Sequence, residues 1–155
     1  MVTIEERTYI GAPIERCFYL SLSIDLHQGS TAQTRERAIA VTSGLIGPGQ
    51  RVTWRGRHFG MLEHTSEITA YEAPVFFEDA MVSGVFRSFR HQHFFKSENN
   101  GTVMEDILEF AAPVPLVGRV AEILLKEYLR RFLRERNTFI KCVAESEEWR
   151  KYLTN

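Results

Sequence analysis

The chain of 155 residues is poor in cysteine and proline, carries almost no net charge and has no long apolar run. Each shortage removes a class of protein. Cys17 and Cys142 stand far apart, in no metal-like spacing and beside no histidine. That pattern argues against a disulfide framework, a zinc finger and a thiol nucleophile. Both read as reduced, half-buried thiols in helical segments. A formal net charge of −1 offers no broad basic face for nucleic acid. No stretch approaches the roughly 20 apolar residues of a membrane-spanning helix. The opening residues Met1 to Arg7 lack a signal peptide's apolar core. The sequence therefore predicts a cytoplasmic protein with no nucleic-acid partner and no integral membrane association. It also lacks a glycine-rich phosphate loop and a nucleophile elbow.

Phenylalanine, by contrast, is abundant, at 11 residues. Such rings fill cores and line apolar pockets. The length suits one domain over residues 1–155, large enough to bury roughly 70% of its unfolded surface without staples. Residues 146–155 are charged and expected to fray.

Hydrophobic periodicity divides the chain. Val2 to Tyr9 alternates and reads as a strand. Pro13 then suits the first turn of a helix, with Ile14, Cys17, Phe18 and Leu22 at helical spacing. A short second helix or loop covers Asp25 to Ser30. From Gln33 to Ala112 the period is two, broken by Gly47-Pro48-Gly49, Phe59-Gly60, Ala73-Pro74, Ser83-Gly84 and Asn99-Asn100-Gly101 into six strands. Pro113 and Pro115 end them. From Leu116 to about Ala144 the pattern is helical. Val117, Ala121, Leu124, Tyr128, Phe132, Phe139 and Val143 form one stripe, widened by Leu125, Leu129, Leu133 and Ile140. Arg119, Glu122, Lys126, Arg130, Arg134 and Lys141 fall opposite. The predicted fold is α+β: a seven-stranded, curved antiparallel sheet around a long C-terminal helix, in the order β-α-α-β-β-β-β-β-β-α.

This order, with Gly49-Gln50 through Trp54, His58-Phe59-Gly60, Phe77-Glu78-Asp79-Ala80-Met81, Gly84-Val85-Phe86, Phe89 to Phe95 and Gly101-Thr102 through Asp106, resembles the START/polyketide-cyclase-like superfamily. That is the helix-grip fold of the birch pollen allergen, also called SRPBCC, and the likeness is to its bacterial cyclase/dehydrase-like ligand-binding branch. The resemblance covers nearly the whole chain and implies binding of apolar or amphipathic small molecules in a central cavity. It supplies no shared catalytic motif, because the fold hosts many functions.

Strand parity indicates which side chains face inward. Arg51, Thr53, Arg55 and Arg57 share one face and must be solvated, so Trp54 and His58 point inward. The same logic turns His64, Ser66 and Ile68 inward, then Phe77, Asp79 and Met81, then Phe89, His91, His93 and Phe95, then Met104, Asp106, Leu108 and Phe110. The expected cavity is lined by Trp54, Ile68, Phe77, Met81, Phe89, Met104, Phe110, Leu124 and Tyr128. Its polar members are His58, His64, Ser66, Asp79, His91, His93 and Asp106.

Four histidines and two aspartates on an inner face are unusual, since buried ionisable groups are rare unless paired. They are open to three readings. One is a structural His–Asp network with at least one direct contact. Another is a polar floor that orients a ligand's carbonyl or hydroxyl. The third is a metal chelate through His91 and His93 with His58 or His64, although no recognised metal motif is present. The sequence implies no cofactor and no resident metal. The favoured function is binding of a hydrophobic or amphipathic small molecule for carriage, storage or sensing, with a homodimer compatible. The alternative is a cyclase/dehydratase-like lyase or isomerase without a covalent nucleophile, with His91, His93 or Asp79 as general acid or base.

Overall fold

The computed structural model describes residues 1–113 and 118–154. The expected start of the long helix at Leu116 and Val117, and the break at Pro115, lie outside the described residues. Strand β1 spans Val2–Ile10, followed by helices α1 (Ile14–Ser21) and α2 (Ile24–Ser30). Strands β2 (Arg37–Ala38), β3 (Arg51–Arg57), β4 (Met61–Glu72), β5 (Phe76–Ser83), β6 (Ser88–Glu98) and β7 (Gly101–Ala111) come next. Helix α3 runs from Gly118 to Ala144. All strand pairs are antiparallel, in one sheet ordered β1-β7-β6-β5-β4-β3-β2. This is the predicted helix-grip architecture.

Local chemistry sets the boundaries. Pro13 precedes α1 with φ −58°, and the Ser23 hydroxyl caps α2 by accepting from the Leu26 N–H at 3.1 Å. The β6–β7 hairpin closes through Asn99 and Asn100, both at positive φ, the conformation that matches the twist of paired strands. Register shifts at Thr65/Ser66 and Ile68/Ala70 bend β4, so Tyr71 comes to pair with Phe77.

Two apolar clusters hold the sheet to the helices. In one, Phe18 of α1 meets the rings of Tyr71, Phe77 and Phe95 edge-on at 5.3–5.6 Å. In the other, Leu129 and Leu133 of α3 pack on Ile4, Leu108 and Phe110. Backbone approach of α3 to the sheet concentrates on β1. Over the middle strands the helix stands off, and a space opens there.

Several expectations are extended or corrected. Arg130 and Arg134, on the face of α3 opposite the apolar stripe, both reach Glu6 on β1, at 3.3 and 3.0 Å. Cys17 is buried, but Cys142 is exposed rather than half-buried. The segment after α3 is not featureless. Ser146 caps a 3₁₀ turn at Glu147–Trp149, and a last helical turn, α4, spans Arg150–Leu153. The guanidinium groups of Arg16 and Arg150 lie over the Trp149 ring, 4.4 and 4.6 Å from its centre, and with Tyr152 and Leu153 the ring packs on the first cluster. Among the described residues, no helix is long and apolar enough to cross a membrane.

Candidate ligand-binding site

A cavity of about 450 Å³ lies between the sheet and α3. Sheet pairing places the sequence-predicted residues on it. Trp54 faces His64 across β3 and β4, and Ile68 faces Asp79 across β4 and β5. These four line the cavity together with His58, Ser66, Phe77, Phe89, His91 and His93. From α3, Tyr128 lines it as expected.

Five predicted residues do not line it. Leu124 is exposed at 66%, and half-buried Leu125 takes its place, on the side of α3 that carries the buried Leu129, Leu133 and Ile140. The stripe was wide enough in sequence to admit either phase. Met104 and Phe110 have the right parity but are wholly buried in the two apolar clusters, where the helices press on the sheet. Met81 lies opposite Ser66 near the end of β5, where its sulfur packs beside Gly84. Asp106 lies beneath the cavity wall, fully buried.

The polar groups fall into two clusters. The first was not legible from strand parity. Glu36, in the segment before β2, accepts from two imidazoles: His27 Nε2 at 2.7 Å and His58 Nε2 at 2.5 Å. His58 Nδ1 meets the Tyr128 hydroxyl at 2.7 Å, and the His27 ring lies 4.1 Å from that of Trp54. Burial alone pushes the Glu36 carboxyl up, but the hydrogen bonds and charges of His27 and His58 together hold it down at about 2. A Cβ on Gly56 would stand 2.5 Å from Glu36 Cγ, so a glycine is needed for this approach. The only sequence signal was Gly56 itself, a glycine inside a strand pattern.

The second cluster is built by register on the central strands. His91 and His93 are two apart on β6, so both rings share a face. Asp79 pairs with His91 from β5, and Asp106 pairs with His93 from β7. The contacts run diagonally: His93 Nε2 to Asp79 Oδ1 at 3.1 Å and His91 Nε2 to Asp106 Oδ1 at 3.0 Å. The expected His–Asp contact is thus present twice. His93 Nδ1 also lies 2.9 Å from Asp106 Oδ1, but without hydrogen-bond alignment. Asn137 of α3 donates to Asp106 Oδ2 at 2.7 Å, and Arg136 reaches Asn137 Oδ1 and the Ser21 carbonyl. Burial opposes charge on Asp106, but the His91 hydrogen bond and the closeness of both imidazoles win and hold it well below the usual carboxylate range. Asp79 is lowered too, chiefly by His93 against its burial. Burial, reinforced by neighbouring His93, pushes His91 down. His64 stands apart, edge-on to Phe89 at 5.1 Å, and burial lowers its pKa, so its ring is neutral at neutral pH.

No protein-family model matches the chain, and no curated protein sequence matches it significantly. Solved structures do. The protein TTHA0849 from Thermus thermophilus has a TM-score of 0.71 at 16% identity, with 92% of this chain and 99% of that one covered. Major latex-like protein 151 from Panax ginseng has a TM-score of 0.67 at 14% identity, covering 94% and 98%. Protein Ms6760 from Mycobacterium smegmatis has 0.64 at 17%, covering 91% and 89%. At such identities the likeness is one of fold, and it spans the whole sheet-and-helix arrangement.

Proposed function

We propose that this chain binds a hydrophobic or amphipathic small molecule in the cavity beneath α3, to carry, store or sense it. The cavity carries the reading. Its volume of about 450 Å³ falls within the roughly 300–1,000 Å³ of small-molecule sites. Its walls are aromatic and aliphatic, from Trp54, Ile68, Phe77, Phe89, Leu108, Leu129 and Phe132, while polar groups gather in two places. Apolar walls would take the body of a ligand, and the Tyr128 and His91–His93 groups would orient its oxygen atoms. The placement in the bacterial cyclase/dehydrase-like branch rests on the motifs quoted above. A cytoplasmic location is part of the same reading, with two free cysteines that call for no oxidising compartment.

One arrangement favours a second reading, an enzyme. Glu36, His58 and Tyr128 form a carboxylate–imidazole–hydroxyl chain ending on the cavity. Such a chain can accept a proton from a substrate hydroxyl as the tyrosine passes its own to His58, with Glu36 stabilising the imidazolium. One experiment addresses both. Native mass spectrometry of the purified chain should show a bound small molecule, which is then identified and incubated with fresh protein. Recovery unchanged supports binding alone. Conversion that stops in Tyr128→Phe supports the enzyme. A chain that neither retains a small molecule nor takes one up from an extract contradicts both.

A further inference from the structure

We propose that Asp79, His91 and His93 form a binding site for a divalent transition cation in the cavity wall, with Asp106 holding the two histidines from behind. The proposal does not depend on what fills the rest of the cavity.

One donor atom from each of the three residues lies within 4.8 Å of the other two. The 3.1 Å between His93 Nε2 and Asp79 Oδ1 is close to the edge of a tetrahedron with about 2 Å metal–ligand bonds, about 3.3 Å. Two imidazoles and one carboxylate are a donor set for zinc and its neighbours rather than for calcium or magnesium, which prefer oxygen. The trio stands on two paired central strands, so its spacing is fixed by the sheet rather than by a loop.

The second, independent observation is Asp106. It is fully buried, accepts from His91 Nε2 at 3.0 Å, and lies 2.9 Å from His93 Nδ1, the ring nitrogen that does not face Asp79, short of hydrogen-bond alignment there. An ionised carboxylate only accepts, so the ring nitrogens facing it carry protons when a cation is bound. The other nitrogen of each ring then has its lone pair free. This is the carboxylate–histidine support that fixes tautomer and ring orientation at metal sites. Asn137 in turn orients Asp106, at 2.7 Å, and Phe77 stacks on the His93 ring at 4.1 Å and 19°. A purely structural pair would need only one carboxylate. Asp79 is the second, and it faces the cavity. Because all three residues line the cavity, the remaining coordination position would go to water or to a ligand oxygen.

The test uses the full, tag-free chain stripped with a chelator and titrated with Zn²⁺ by calorimetry and with Co²⁺ by visible absorption. The expected result is one equivalent bound, with the d–d bands of low-coordinate cobalt. Asp106→Asn should weaken Zn²⁺ binding about 10–100-fold, and Asp79→Asn should weaken it more. His27→Ala, in the Glu36 cluster, should leave it unchanged. Should the buried variants misfold, the unmodified chain decides. Zn²⁺ must shift the imidazole nitrogen resonances of His91 and His93 and leave that of His27 in place. No stoichiometric binding, full binding in folded Asp79→Asn, or shifts confined to other histidines would overturn the proposal.

Discussion

Glu36 carries two imidazoles on one carboxylate, and its side chain is only 11% exposed. Its folded pKa of about 2 lies below the ordinary 4.5. A depressed carboxyl contributes stability that is fully present above the unfolded value and is lost as pH falls through the folded one. The window is therefore from 4.5 down through about 2, and the contribution is about 3 kcal/mol. Urea unfolding of wild type and Glu36→Gln should show the variant less stable by that order at neutral pH, with the gap closing across this window. A constant gap would contradict the assignment. Glu36 was not singled out by parity, because β2 spans only Arg37–Ala38 and Glu36 stands just before it; only the tertiary fold brings it to His27 and His58. Trp54, His91 and Asp79 were legible because each sits on a strand whose opposite face carries charges that must be solvated, and His58, one residue past β3, keeps the same parity.

Elements show where such reasoning stops. Parity gives a side chain's face but not its depth. Met104 and Phe110 share the face of His91, yet helices press on their part of the sheet and leave no space. On α3 the apolar band is wider than the contact, so Leu124 and Leu125 were interchangeable in sequence, and packing selects Leu125. The packing of the C-terminal turns was not legible for a different reason. Their charges suggested solvation, whereas Trp149, Tyr152 and Leu153 act as an apolar clasp on α1 and the core. Trp149→Ala should therefore cost about 1–3 kcal/mol in urea unfolding, below the full-burial range because the ring is only partly buried. A frayed tail would predict no change.

At the scale of the molecule, one geometric fact organises the rest. Helix α3 meets the sheet at β1 and stands off the middle strands, so a continuous core becomes two clusters with a cavity between them. The sheet's curl and the helix's length were readable from alternating strands and the long amphipathic stretch. A cavity between them was expected too, but its exact lining was not legible, because that depends on how far side chains such as Leu129 and Phe132 reach across. The central claim is that this gap admits an amphipathic molecule. It is tested most directly by fluorescence titration with anilinonaphthalene sulfonate, an apolar ring system bearing one charged group, on wild type and Ser66→Phe. Ser66 is buried and lines the cavity, so the larger ring would occupy the space a ligand needs. The account predicts one saturable site per chain, weakened by about tenfold or more in Ser66→Phe with native circular dichroism retained. Absence of saturable binding, or equal affinity in a folded Ser66→Phe, would contradict it.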